Sequence, residues 1–170
     1  MKKLFFLIGA SGAGKTTAAE SFKALNLSDF VVCSSDSLSV PSVEDMIKEC
    51  GSQDEWQKAS NIRWVKKIKE EYLEDKNVLL DTQSRPAFID EACLKNGVSD
   101  YTVILFDCSD EERKRRLIEE RNQPDLANPQ MMDWAKYLRD RCVGKNYAVL
   151  DNTHITSKQG FERLLKIIKV

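Results

Sequence analysis

Residues 8–17 read Ile8-Gly9-Ala10-Ser11-Gly12-Ala13-Gly14-Lys15-Thr16-Thr17 and match G-x-x-x-x-G-K-[ST] at every fixed position. Glycines at this spacing let the backbone turn sharply and aim several N–H groups at one point. A helix that starts near Gly14 adds its positive end to the same place. The chemistry on offer is the grip of a polyphosphate by Gly9 through Thr17. Lys15 is placed for the terminal phosphates and the Thr16 hydroxyl for Mg²⁺. The flanks suit the motif. The apolar run Leu4-Phe5-Phe6-Leu7-Ile8 precedes it, and Ala18, Phe22 and Leu25 mark one face of a helix after it. A glycine-rich turn that matched by chance would lack both.

Other residues carry chemistry of weaker pattern. Asp81 closes the apolar run Val78-Leu79-Leu80. A carboxylate there is a hard oxygen donor for Mg²⁺, directly or through water, or else a turn cap. Arg85, four residues on, suits a bidentate grip on an anionic group, or a solvated surface position. Gln83 lies in the same loop. Asp36, in Ser34-Ser35-Asp36-Ser37, is a candidate to orient or deprotonate an acceptor hydroxyl; the alternative is a helix N-cap. The run from Glu111 to Arg121 is mostly a solvated helix face with i,i+4 pairs. Arg121 is the first choice in it to neutralise charge during phosphoryl transfer, with Arg116, Arg139 and Arg141 behind. Asn152 and Thr153, after Val149-Leu150-Asp151, are placed to meet a purine base. His154 is the chain's one histidine, and nothing in sequence pairs it with a nucleophile.

These residues need a scaffold, and the pattern supplies one. Strands are expected at Leu4–Ile8, Phe30–Cys33, Val78–Leu80, Thr102–Phe106 and Tyr147–Leu150. Most are continuous apolar runs, as in a parallel sheet covered on both faces. Helices alternate with them. Ser52–Glu55, Ser109–Glu112 and Thr156–Gln159 open helices with capping signals, Pro86 and Pro129 sit at first helical positions, and Gly97 and Gly144 mark ends. In the helix after Ser52, the residues Trp56, Val65, Ile68 and Tyr72 fall near one face and are expected in the core. The last helix should turn Phe161, Leu164, Leu165 and Ile168 to the sheet. The expected class is α/β, three-layered, with a parallel five-stranded sheet flanked by helices. Ligands of such sheets collect at the carboxyl ends of the strands, so the residues just after each strand are the ones to inspect.

The composition bounds the reading. At 170 residues, the chain suits one domain with a proper core. A formal net charge of −1 gives no bulk positive surface, which argues against a nucleic-acid partner. No apolar run is long enough for a membrane span, and the N-terminal run is expected to be a core strand rather than a leader. Five cysteines without C-x-x-C spacing argue against a disulfide framework or zinc site and suggest a reducing cytoplasm.

With these motifs in place, the chain resembles the nucleoside monophosphate kinase-like group of P-loop kinases, which includes adenylate, shikimate and gluconate kinases. The Walker A residues Gly9–Thr16 carry the likeness. Leu79-Leu80-Asp81-Thr82-Gln83-Ser84-Arg85 is similar to the D-G-F-P-R segment of adenylate kinases, where the aspartate lies near the metal and the arginine grips the acceptor phosphate. Ser35-Asp36-Ser37-Leu38 resembles the G-D-x-L segment that opens the acceptor subdomain, and Arg116 to Arg121 resembles the approach to the lid. The resemblance implies a P-loop NTPase fold, with residues 34–77 a helical acceptor-binding subdomain and about 121–140 a lid. The chain also departs from the group. Ser39 stands near the place of an acceptor-phosphate arginine, Thr82, Gln83 and Ser84 replace Gly, Phe and Pro, and the Arg116–Arg121 spacing is one residue longer. These changes point away from AMP as acceptor.

The expectation is an ATP- and Mg²⁺-dependent transferase that phosphorylates a small hydroxylated molecule or nucleotide. Lys15, Asp36 and Arg121 would be catalytic, Asp36, Gln83 and Arg85 would bind the acceptor, and Thr16 and Asp81 would hold the metal. Two rivals stay open: a P-loop ATPase or binding module coupled to a macromolecular partner, and a kinase acting on a nucleic acid or protein. A GTPase switch is excluded by the absence of D-x-x-G after the third strand and of N-K-x-D.

Overall fold

The run Leu4-Phe5-Phe6-Leu7-Ile8 is buried at every position, which is what a strand covered on both faces requires. It is β1 (Leu4–Ile8) of a computed structural model that describes residues 2–37 and 40–169. The other elements follow it with one or two helices between successive strands: α1 (Lys15–Ala24), β2 (Phe30–Ser34), α2 (Val43–Cys50), α3 (Gln53–Glu71), β3 (Asn77–Asp81), α4 (Pro86–Lys95), β4 (Tyr101–Asp107), α5 (Asp110–Arg115), α6 (Pro129–Gly144), β5 (Ala148–Asp151) and α7 (Ser157–Ile168). The strands form a five-stranded parallel sheet in the order β2-β3-β1-β4-β5. The order reverses at β1, so the topological switch point lies at its carboxyl end, where the glycine-rich loop begins.

The chain divides into two compact units. The first holds residues 2–6 and Leu27–Thr102. In it β2 pairs with β3 in the register Phe30↔Asn77 to Ser34↔Asp81, which sets Ser34 beside Asp81 at the strand ends. Val65 and Ile68 of α3, Val78, Leu79 and Leu80 of β3, and Ile89, Ala92 and Cys93 of α4 make its core. Helix α4 starts as expected, with Pro86 at its first position, where a missing N–H costs nothing. It ends at a left-handed Gly97 (φ +62°), after which the Val98 amide closes on the Cys93 carbonyl at 2.9 Å. Trp56 and Tyr72 depart from the expected core stripe: both are half-buried, and Tyr72 lies at the C-cap of α3. Leu38 and Ser39, which close the G-D-x-L-like stretch, lie outside the described residues.

The second unit holds Leu7–Asn26 and residues 103–169. In it β4 pairs with β5 in the register Ile104↔Ala148 to Asp107↔Asp151. Asn128 caps α6, which ends at Gly144, and its buried Met132, Ala135, Leu138 and Cys142 recur at helical spacing. Thr156 and Gln159 form a reciprocal capping box at the start of α7, whose Leu164 and Ile168 are buried, with Phe161 and Leu165 half-buried. At Ser109 the box is half-made. The Ser109 hydroxyl accepts from the Glu112 amide at 3.2 Å, while the Glu112 carboxylate turns to Arg115 and Arg116. Beyond Arg115 the helix widens into one π turn, Arg116–Glu120. Among the described residues no helix is long and apolar enough to cross a membrane.

Candidate active site

In the second unit, the loop from Gly9 to Gly14 is shaped by close approach. A Cβ on Gly9 would lie 2.4 Å from the Phe106 carbonyl oxygen, so no other residue fits against β4 there. Gly12 stands at φ +82°, a conformation side chains rarely adopt, and a Cβ on it would press on Arg113 and Leu117 at 3.3 Å. Gly14 is the N-cap of α1 and brings no side chain to its open amides, and no acidic residue occupies the first turn. The positive end of α1 is therefore left for an external anion.

Three side chains hold the loop carbonyls from outside. Arg113 donates to Ser11 O at 3.0 Å, Arg116 to Gly12 O at 3.4 Å, and Asn152 to Ala13 O at 3.3 Å. A trans peptide points its N–H opposite to its C=O. The amides of Gly12, Ala13 and Gly14 are thereby turned away from those side chains; that of Ala13 closes on Ala10 O at 3.2 Å. Carbonyls out and amides in is the arrangement that binds a polyanion. Lys15 is half-buried at the first position of α1, and Thr16 and Thr17 are exposed beside it.

The brace is itself anchored. Arg113 is fully buried and pairs with Asp107 at 2.7 Å, and its guanidinium also reaches Cys108 O at 3.2 Å. Arg139 of α6 takes the other Asp107 oxygen and donates to Cys108 O at 3.3 Å. Arg116 bonds Asn152 O at 2.7 Å and Glu112 at 2.7 Å. Arg115 first, and then Arg116, hold the Glu112 carboxyl down to about 2.

The four arginines singled out in sequence thus have different places. Arg116 grips the loop and Arg139 braces the end of β4. Arg141 lies over the Tyr137 ring at 5.4 Å, and Arg121 is exposed just past the π turn. Asn152 is buried against the loop rather than displayed to solvent. The Thr153 hydroxyl accepts from the Ser109 amide at 2.8 Å and donates to Asp151, which holds that carboxyl below its ordinary range. His154 is exposed in the turn after β5. Of the stretch assigned to a lid, residues 129–140 are the first turns of α6 and carry buried positions; residues 121–128 contain only the short 3₁₀ turn Pro124–Leu126.

In the first unit, Asp36 is exposed in a 3₁₀ turn, Ser35–Ser37, directly after β2. It does not cap α2; Ser42 does, accepting from the Asp45 amide. Asp81 ends β3 and is 7% exposed. Thr82 and Ser84 after it are buried, and Gln83 is exposed. The loop is tied to α3 by two side chains: Gln57 donates to Gln83 O at 3.3 Å, and Asn61 to the Ser84 hydroxyl at 2.9 Å. Arg85 is turned toward the start of α3, 3.1 Å from Asp54 and over the Phe88 ring at 5.6 Å. A cleft of about 200 Å³ opens beside Asp36 and Gln83, walled by Trp56, Gln57, Asn61 and Trp64 of α3.

A protein-family model described as an AAA domain matches residues 6–134. The chain belongs to the AAA domain family. No curated protein sequence matches this AAA domain. Its fold is similar to the shikimate kinase from Bacteroides thetaiotaomicron, with 18% identity over 98% of this chain and 98% of that one and a TM-score of 0.64. It is similar to the thymidylate kinase from Candida albicans, at 15% identity over 99% and 91% with a TM-score of 0.66. A sugar kinase from a Janibacter species matches at 16% over 100% and 96%, with a TM-score of 0.62. The fold of this AAA domain is that of the nucleoside monophosphate kinase-like P-loop kinases.

Two groups of residues were missed from sequence. Asp107 and Arg113 were hidden in a strand end and a charged run. The signal was an aspartate closing β4 as Asp81 closes β3, with an arginine six residues on. The cleft wall was hidden in α3. Its signal was the stripe Gln53, Gln57, Ser60, Asn61 and Trp64, at helical spacing along the side of α3 next to the core pair Val65 and Ile68.

Proposed function

We propose that this chain is a phosphotransferase that moves the γ-phosphoryl group of ATP to a small-molecule acceptor. The observation that carries the reading is the loop at residues 9–14, whose carbonyls are held outward by Arg113, Arg116 and Asn152. Such a cradle fits the phosphates of ATP, and the exposed Thr16 hydroxyl and the Asp81 carboxylate fit Mg²⁺ as hard oxygen donors. Bound Mg²⁺ would supply charge neutralisation at the phosphates.

In this reading the loop amides of Gly9 to Thr17 bind the triphosphate, Lys15 holds its β- and γ-phosphates, and Asn152 and Thr153 border the base. Asp36 orients the acceptor hydroxyl and receives its proton. Gln83 and Arg85 contact the acceptor, each as a hydrogen-bond donor. Residues 34–77 act as the acceptor subdomain and about 121–140 as the lid, with Arg121 carried over the transferring group. Closure excludes water, which otherwise accepts the phosphoryl group. Five cysteines with no C-x-x-C spacing suit a reducing cytoplasm.

The deciding experiment measures ADP release from MgATP across an acceptor panel. The expected result is release that depends on one class of small molecule and falls by about 10²–10³-fold in Lys15→Met, the scale seen when a charge-stabilising donor is lost. Full turnover in that variant, or hydrolysis indifferent to every metabolite, would refute it.

A further inference from the structure

The cleft beside Asp36 has a definite chemical character. Among its described lining residues Asp36 is the one ionisable side chain; Gln53, Gln57, Asn61, Thr82 and Gln83 are neutral hydrogen-bonding groups. A carboxylate only accepts hydrogen bonds, so Asp36 calls for hydroxyl or amine donors. A phosphate or carboxylate here would face a like charge in a half-enclosed site with no cation on the wall, and an unpaired anion is costly to desolvate. The cations nearby sit off this wall: Lys67, with Arg63, lines only the adjoining space and lies 5.7 Å from the Trp64 ring. Arg85 pairs with Asp54 at 3.1 Å, and Arg63 pairs with Glu49 at 2.9 Å.

The remaining wall is aromatic. Trp56 and Trp64 line this cleft and an adjoining one of about 280 Å³. The Trp56 indole N–H donates to Glu49 at 3.1 Å, which fixes the ring's orientation. Fixed aromatic faces take the flat or C–H face of a ring and add contact at little entropic cost. The two spaces together match a molecule of one or two rings rather than a polymer.

We propose that the acceptor is an uncharged, hydroxyl-bearing ring compound, such as a free sugar, cyclitol or nucleoside, with Trp56 and Trp64 as its apolar wall and Asp36, Gln83 and the α3 amides reading its hydroxyls. The proposal rests on the kinase reading for the phosphoryl step alone; the binding class follows from the cleft.

The test uses the full chain and matched pairs: uridine and thymidine against their 5′-monophosphates, and glucose and myo-inositol against glucose 6-phosphate and inositol monophosphate. Tryptophan emission reads binding without turnover, and ADP release reads transfer. At least one uncharged member quenches the emission, and its phosphorylated partner binds about ten-fold more weakly or worse, a difference of about 1.4 kcal/mol. Trp64→Phe removes most of the quench. Asp36→Asn narrows the gap between the pair members, because the repulsion is gone while the amide wall stays. Tighter binding of the charged members, or no quench by any uncharged member, overturns the proposal. Quenching without ADP release would remove the kinase reading and leave this one; ADP release driven by the charged members would do the reverse.

Discussion

Arg113 and Asp107 form a salt bridge of 2.7 Å with the arginine side chain wholly buried and the aspartate nearly so. The same guanidinium holds the Ser11 carbonyl of the phosphate loop. A charge this deep is tolerated because Asp107 neutralises it and the Ser11 and Cys108 carbonyls accept from it. Removing Arg113 leaves Asp107 to Arg139 alone and the Ser11 carbonyl without its donor, and that loss, rather than the net worth of the pair, is what a variant measures. Arg113→Met should therefore cost about 1–3 kcal/mol of unfolding free energy. It should also weaken nucleotide binding, since the Ser11 carbonyl loses its anchor. Urea unfolding with nucleotide titration checks both; a loss below about 1 kcal/mol, the scale of an exposed pair, would contradict the brace.

Gly9 and Gly144 should respond in opposite directions to alanine. Gly9→Ala drives a methyl to 2.4 Å from a backbone oxygen, so the loop or β4 must shift and nucleotide affinity falls. At Gly144, within the last turn of α6, nothing lies within 4 Å of an added Cβ. Gly144→Ala should raise stability by about 0.4–1 kcal/mol through the lost entropy of the unfolded chain. Thermal melts of the two variants decide the matter, and equal shifts of the same sign would contradict it.

Glu112 contributes to the acid limb of stability. Its ordinary value of 4.5 is depressed to about 2 in the fold, first by Arg115 and then by Arg116. A carboxyl depressed on folding stabilises fully above its unfolded value and loses that contribution as pH falls toward its folded one. Glu112→Gln should lower the urea midpoint at pH 7 and flatten its decline between pH 4.5 and about 2. A variant whose decline over that window matches the parent's would show that Glu112 is not responsible.

The five thiols should separate by rate toward a disulfide reagent at pH 8. Burial pushes the Cys93 thiol up to about 12, and burial also raises Cys108. Cys33 and Cys50 are half-buried. Those two should react first, by about ten-fold or more, because the thiolate is the reactive form and access is open. Mass mapping of the modified sites is the measurement; early labelling of Cys93 would indicate local opening of α4.

Much of this was legible along the chain because its causes are local. The strand residues Leu4–Ile8, the proline starts of α4 and α6, the Thr156–Gln159 box and the phosphate loop each rest on neighbours within a few residues. The same holds for the placing of Asp36 and Asp81 at strand ends.

Other features were decided only by tertiary structure. Which arginine meets the loop depends on the phase of a helix with charges on several sides, and one π turn shifts that phase after Arg115. Nine residues at about 100° each set Trp56 half a turn round α3 from Val65, and only packing decided that this side borders a cleft rather than more core. Asn152 and Arg113 gain their meaning from partners 139 and 102 residues away. Sequence determined where phosphate-binding amides would gather, since that needs only short-range backbone geometry. Folding decided which side chains hold them in place and what the cleft beside Asp36 displays, since those depend on packing between distant segments.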